Sequence, residues 1–272
     1  MTEYGHTHQE ILTQTAAWRA AQAALEKHAA ALTQLWQAYR PDSILVTGCG
    51  STHYLSMTCA HLVQTHTSVP ARAFPASELL LHPEAAYAGQ RPLLIAITRS
   101  ATTSETVQAV EQFKAKTNGA VVVISCYGDK PLNAMATLNL IVQAAQEQSI
   151  AQTRSFSSML IMAEGMARIW GGVSGIQSFS PVYESAVQQL SAAAIPYADP
   201  ARFQRVFYLG SGALYGLACE AMLKMKEMSL TSAEAFHPME FRHGPKAMVD
   251  DSTLIVALMH EHGHEVEHSV FA

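Results

Sequence analysis

Two stretches, read one above the other, decide the fold: ILVTGCGSTHYL at positions 44–55 and VFYLGSGALYGL at 206–217. Gly48 falls over Gly210, Gly50 over Gly212 and Leu55 over Leu217. Each copy is a short apolar run, a Gly-x-Gly turn and the start of a helical pattern, the signature of a strand feeding a helix. At nearly the same offset LLIAI (93–97) lies over LIVAL (254–258). Such self-similarity predicts two related α/β lobes in one chain.

Outward from the first copy, short apolar runs at 44–46, 69–74, 93–98, 120–125 and 138–142 alternate with helical stretches near 53–65, 104–116, 132–136 and 155–170. Near-continuous apolar strands separated by helices predict a parallel sheet covered on both faces. Gly171-Gly172 and residues 173–181 break the pattern. A helix at 182–194 and a turn at 195–202 then lead to strand signals at 206–209, Ala233 and Ser252. The expected fold is therefore two tandem parallel-sheet αβα sandwich lobes, flavodoxin-like, behind an N-terminal helical segment. The expected boundaries are 1–42 for the helical segment, 43–172 for the first lobe, 173–204 for a linker with a helix, and 205–272 for the second lobe. Three strand signals are too few to close a core. The second lobe thus reads as incomplete, either truncated or completed by a partner. In the first forty residues Ile11, Trp18, Leu25 and Leu32 recur every seven positions, with Leu35 and Trp36 widening the stripe. A helix packed on the body of the protein is the expectation, a seam for a partner subunit the alternative. Arg40-Pro41-Asp42 stops this region, because proline disfavours the α conformation in the residue before it.

Composition removes whole classes. The chain has 272 residues, 49% of them hydrophobic and 14% charged, which suits a buried α/β protein rather than a disordered one. A net charge of −5 argues against a nucleic-acid binder working through a broad basic face. The longest apolar runs are far too short to cross a bilayer, and MTEYGHTHQE lacks the basic-then-apolar order of an export signal. Cys49, Cys59, Cys126 and Cys219 show no C-x-x-C spacing. They read as thiols of a cytoplasmic protein.

The residues that could carry chemistry lie at the turns. Gly48-Cys49-Gly50 continues to Ser51-Thr52-His53 without the third glycine of a dinucleotide fingerprint, so a nicotinamide cofactor is not expected. The third strand ends in Thr98-Arg99-Ser100-Ala101-Thr102-Thr103, and six of the nine residues from Thr98 to Thr106 carry hydroxyls. An ordinary N-cap accounts for one or two of these. Two hydroxyl-rich turns at helix N-termini on one sheet edge favour a phosphate cradle. The matching turn of the second copy, Met259-His260-Glu261, has no hydroxyls, so only the first lobe would hold phosphate. Glu220, Lys224 and Glu227 instead share one helical face at i, i+4 and i+7. Their apolar neighbours suggest a buried acid/base group, while a solvated ion-pair stripe is equally open. His237 and His243 sit in a loop marked by Pro238 and Gly244-Pro245. His264-Glu265-Val266-Glu267-His268 fits H-E-x-x-H, but only four residues follow it and it falls where a covering helix is needed. No metal site is expected there.

These pieces resemble the SIS (sugar isomerase) domain family. Its members include the isomerase half of glucosamine-6-phosphate synthase, stand-alone amino-sugar-phosphate deaminases and isomerases, and fructosamine-6-phosphate deglycases. The resemblance runs from Ile44 to Leu258. Residues 48–52 resemble the family's first phosphate turn and Ala76-Ser77-Glu78 its second-strand exit. Residues 98–103 resemble its Ser-x-Ser-Gly-x-Ser/Thr loop, and SIAQTRSFS (149–157) its V-A-x-T-K-x-F-T segment. The longest match is GSGALYGLACEAMLKMKEMSLTSAEAFHPMEFRHGP at 210–245. The resemblance implies that Ser51, Thr52, Thr98, Ser100 and Thr103, with Arg99 in the same loop, bind a sugar phosphate, and that Gln152 lies near the sugar. It places the base that moves a proton between C1 and C2 on Glu227, with Glu220 and Lys224 as its partners. It places the ring-opening histidine on His243, reaching across a homodimer interface.

The implied activity is a phosphosugar aldose–ketose isomerase or deaminase acting on a hexose or amino-hexose 6-phosphate, without metal or organic cofactor. A fructosamine-6-phosphate deglycase is the alternative, and a non-catalytic sugar-phosphate sensor is the alternative of another class. Four departures stand out. Ala101 replaces the usual Gly, Arg154 the usual Lys, and Gln152 a small hydroxyl residue, and the family's C-terminal lysine has no counterpart before Ala272. Residue 2 is Thr rather than a cysteine nucleophile, so glutamine-dependent amination is not expected.

Overall fold

A computed structural model describes residues 5–173, 182–198 and 202–270. The chain divides into two compact units, Met1–Ala186 and Val187–Ala272. The break foreseen at 173–181 and the end of the turn at 195–202 lie largely outside the described residues. The helix expected at 182–194 is present.

The first unit carries five parallel strands: β1 (Ser43–Gly48), β2 (Ala71–Pro75), β3 (Pro92–Thr98), β4 (Ala120–Ser125) and β5 (Leu138–Ile141). Their order, β2-β1-β3-β4-β5, is the flavodoxin-like doubly wound arrangement. Every residue of β3 and β4 is buried, which is why PLLIAIT and AVVVIS read as continuous rather than alternating apolar runs. The helices are α1 (His6–Leu12), α2 (Gln14–Tyr39), α3 (Ser51–Thr67), α4 (Ala76–Leu81), α5 (Pro83–Ala86), α6 (Ser104–Thr117), α7 (Pro131–Met135) and α8 (Arg154–Trp170). Leu45, Leu94, Ala96, Val121 and Val123 face α4, α6 and α7 through Leu79, Val110, Phe113 and Leu132. Helix α3 covers β1 and β2 and packs on α8, which in turn packs on α2.

The structure departs from the sequence reading at the N-terminus. The helical region expected over the first forty residues is broken at Thr13, whose N–H and hydroxyl both return to the Gln9 carbonyl at 3.0 and 2.8 Å. The buried stripe of α2 is Ala17, Ala21, Leu25 and Leu32, running at four- and seven-residue intervals, while Ile11 and Trp18 are half-buried. This stripe is covered from within the chain. A Cβ on Gly165 of α8 would come 1.8 Å from Leu25 Cδ2, and Trp36 stacks on Trp170 with ring centroids 5.0 Å apart. The Trp170 indole donates to the Leu32 carbonyl. The argument for a partner subunit from an uncovered N-terminal helix therefore falls.

Helix α9 (Val182–Ala194) runs across the boundary between the units. The second unit has three parallel strands, β6 (Arg205–Gly210), β7 (Ser232–Phe236) and β8 (Thr253–Leu258), in the order β7-β6-β8. That order repeats β2-β1-β3, so the sequence repeat is a repeat of topology. Helix α10 (Ala213–Ser229) follows β6, α11 (Pro238–Phe241) follows β7 and α12 (His264–His268) follows β8. The core is built on Phe207, Leu209 and Phe241, with Phe236 packed edge-on to Phe207. Among the described residues no helix is long and apolar enough to cross a membrane.

Candidate functional site

In the first unit β1 and β3 are neighbours whose outgoing chains turn to opposite faces of the sheet, which opens a crevice at their C-terminal ends. Helices α3 and α6 begin there, and both direct positive partial charge toward it, while the Thr52, His53 and Tyr54 N–H groups of α3 turn back to the Cys49 and Gly50 carbonyls. Gly48 is required at the first turn, because a Cβ would meet Thr52 backbone and hydroxyl atoms at 2.6–2.7 Å. Gly50 takes φ +57° and N-caps α3. The Thr52 hydroxyl accepts the Cys49 N–H at 3.0 Å and donates to the Cys49 carbonyl at 2.9 Å, so it braces the turn. Ser51 beside it is buried.

Across the crevice Thr98 is buried at the end of β3, with its hydroxyl 3.4 Å from that of Thr103, the N-cap of α6. The Ser100 hydroxyl accepts from the N–H and hydroxyl of Thr102. Ala101 is buried at φ +56°, so the loop keeps a glycine-type conformation with alanine in place. The Cys49 thiol lies 3.5 Å from the Thr106 hydroxyl and links the two turns. Burial pushes that thiol up, against the lowering effect of Thr106, which leaves it uncharged beside a site suited to an anion.

Arg99 turns elsewhere. Its Nη1 donates to the carbonyls of Ser149 and Ile150 at 3.0 and 3.1 Å and lies 3.4 Å from Glu147 Oε1. The Glu147 side chain is fully buried and caps α8, accepting the Thr153 N–H and hydroxyl, the Ser155 N–H and the Ser155 hydroxyl. Gln152 sits half-buried at the entrance to α8, 3.5 Å from the Ser155 hydroxyl. Neither Glu147 nor Glu10, whose carboxylate accepts two N–H groups of the same segment, is marked by any motif. An acidic residue six positions ahead of a helix entrance was the one available signal for Glu147.

In the second unit Lys224 of α10 joins the two carboxylates of its face. Its Nζ lies 3.4 Å from Glu220 Oε1 and 2.5 Å from Glu227 Oε2. The two readings left open for this helix each hold over half of it. Glu220 is buried among Gly216, Ala218 and Cys219, whereas the Glu227 side chain is 41% exposed and Met228 and Leu230 stand in solvent. His243 is exposed just beyond α11, and its N–H donates to the Glu240 carbonyl. His237 stacks on Tyr215 with ring centroids 3.8 Å apart.

The second unit's own crevice, between β6 and β8, is filled by a side chain of this chain. Glu267 of α12 is 6% exposed, accepts the Ser211 hydroxyl and lies 3.4 Å from the His260 N–H. The H-E-x-x-H stretch thus forms the covering helix after β8. Among the described residues no group of three or more His, Cys, Asp or Glu is placed to hold a metal ion.

The fold defines a protein of two doubly wound α/β units. Residues 38–167 and 201–269 match the SIS domain, and the chain belongs to that family. It is 30% identical over 235 residues to D-galactosamine-6-phosphate deaminase AgaS of Escherichia coli, covering 80% of this chain and 60% of that one. It is 28% identical over 239 residues to the isomerizing glutamine–fructose-6-phosphate aminotransferase of Helicobacter pylori, covering 81% of this chain and 39% of that one. The chain therefore spans between about two fifths and three fifths of these relatives' lengths. Among solved structures, the tagatose-6-phosphate ketose/aldose isomerase of Escherichia coli superposes with a TM-score of 0.83 at 25% identity, over 98% of this chain and 77% of that one. The glucosamine-6-phosphate deaminase of Thermotoga maritima gives a TM-score of 0.77 at 25% identity, over 98% and 82%.

Proposed function

We propose that the protein is a phosphosugar aldose–ketose isomerase or amino-sugar-phosphate deaminase acting on a hexose or amino-hexose 6-phosphate. The observation that carries this reading is the hydroxyl-lined crevice of Ser51, Thr98, Ser100 and Thr103 between two helix N-termini, with Thr52 bracing its first turn. Such a crevice suits a phosphate dianion without a lysine. The named activities of the relatives, on galactosamine 6-phosphate, glucosamine 6-phosphate and tagatose 6-phosphate, point to the same substrate class. In this reading the first unit holds the phosphate and Gln152 faces the sugar.

Glu227 takes the proton from C2 or C1 and returns it to the other carbon. Lys224 holds the Glu227 carboxylate at 2.5 Å, and Glu220 anchors Lys224 at 3.4 Å. His243 assists ring opening. Neither a metal nor an organic cofactor has a step in this chemistry. Four free cysteines suit the cytoplasm. A homodimer remains part of the proposal, with Met228 and the 89% exposed Leu230 at the end of α10 as its apolar surface. Sedimentation as a monomer at micromolar concentration would overturn that element.

A second reading, a sugar-phosphate binder without turnover, is favoured by one observation: Glu227 is exposed and engaged by Lys224. Proton NMR in D2O with fructose, glucosamine and galactosamine 6-phosphates separates the two. Exchange of a C1 or C2 proton is expected, and Glu227→Gln should slow it by about 10²–10⁴-fold while phosphate-ester binding persists. Equal exchange in mutant and wild type overturns Glu227 as the base, and no exchange with binding intact leaves the sensor reading.

A further inference from the structure

Resting on the reading of the first unit's crevice as a sugar-phosphate site, we propose that Glu10 of α1 is a positioning residue. It sets the segment 147–153 that carries Gln152, and so fixes the site's preference for a sugar phosphate over phosphate itself.

The segment has little regular structure of its own, and charged side chains hold its backbone on both sides. Glu10, only 5% exposed, accepts the Gln148 N–H at 2.6 Å and the Ser149 N–H at 3.1 Å. From the same helix the Thr7 hydroxyl lies 2.7 Å from the Ser149 hydroxyl. Arg154 pairs with Glu10 at 3.6 Å and donates through Nε to the Gln146 carbonyl. On the opposite side Arg99 holds the next two carbonyls, and Glu147 holds the exit at Thr153 and Ser155. Between these contacts lies the short stretch Ile150-Ala151-Gln152, with Ile150 95% exposed and Ala151 and Gln152 half-buried.

Arg99 is the residue between Thr98 and Ser100 of the crevice. Its guanidinium is thus a strut from the phosphate side to the sugar side, and Glu10 closes the other face of the same segment. A buried carboxylate accepting two backbone N–H groups is a strong, directional anchor, and removing it leaves those two donors without their acceptor and Arg154 with only the Gln146 carbonyl. A part serving stability alone would affect every ligand of the unit alike. A part that aims Gln152 would affect only ligands that reach it.

The test is calorimetric binding of inorganic phosphate and of a panel of hexose and amino-hexose 6-phosphates to wild type, Glu10→Ala and the milder Glu10→Gln, with amide hydrogen exchange on each. We expect Glu10→Ala to weaken sugar-phosphate binding about tenfold or more, from misplacement of the segment alone, with inorganic phosphate changed less than about twofold. Exchange should speed up at Gln148 and Ser149. Glu10→Gln, which keeps one acceptor oxygen, should fall between, and it carries the test if the alanine variant does not fold. Equal losses for both ligands, or unchanged sugar-phosphate binding in variants with faster exchange, overturn the role of Glu10. A wild type that binds inorganic phosphate but none of the sugar phosphates overturns the reading of the site itself.

Discussion

Ala101 takes a left-handed backbone conformation that ordinarily favours glycine. Its φ of +56° lies where an L-residue is strained by about 1–2 kcal/mol relative to the right-handed region. Yet its methyl is fully buried in the cluster that includes Leu132 and Val123. Ala101→Gly removes the strain, but it also loses about 0.8 kcal/mol of methyl burial and about 0.4–1 kcal/mol through the freer unfolded chain. These effects nearly cancel, so urea denaturation should place the glycine variant within about 1 kcal/mol of wild type. Ala101→Val adds branching at positive φ in filled space and should cost about 2 kcal/mol or more. A valine variant as stable as wild type would refute the left-handed loop. The residue type alone gave no sign of the left-handed backbone here.

Among elements, α2 packs closely on α8, with Gly165 set against the fully buried Leu25. Alanine is the better helix former by about 1 kcal/mol, but a Cβ 1.8 Å from Leu25 Cδ2 forces that side chain out of place. Gly165→Ala should therefore destabilise by about 1–3 kcal/mol. Adding Leu25→Ala should recover part of that loss, because the two substitutions share one space. Strict additivity in the double mutant would argue that the helices do not meet there. The strands were legible because β-branched runs such as VVVI stand out without any knowledge of partners. The break at Thr13 was not, because it contains neither glycine nor proline and lies in the backbone alone, at φ −99° and ψ 6°. Helices α4 and α5 span six and four residues, too short for a periodicity to register. The carboxylate face of α10 was legible from spacing, but its division into a buried and an exposed half depends on what covers the helix. The hydroxyls of the crevice could be read from their density. Glu10 could not, since its contacts lie 138 and 139 positions away along the chain.

Over the whole molecule, one strand order is used twice, β2-β1-β3 and β7-β6-β8, with different contents at the two switch points. The first unit surrounds its crevice with hydroxyls and helix N-termini, and the second places Ser211 and the His260 N–H against Glu267. The repeat was visible in the Gly-x-Gly turns. The divergence was visible only as missing hydroxyls, because nothing in the tail announced that a glutamate from a short helix would fold back into the gap.

A carboxylate tethered to the chain is present at its site whatever the medium contains. The second unit's turn should therefore be indifferent to the anions around it, whereas the first should firm up as its ligand accumulates. Amide exchange measured across a phosphate titration should slow at residues 48–52 and 100–104 and stay level at 210–212. Slowing at both turns would mean that Glu267 is readily displaced. With Glu267 in place, one half of the molecule is expected to report on the phosphate in its surroundings, while the other is set permanently at synthesis.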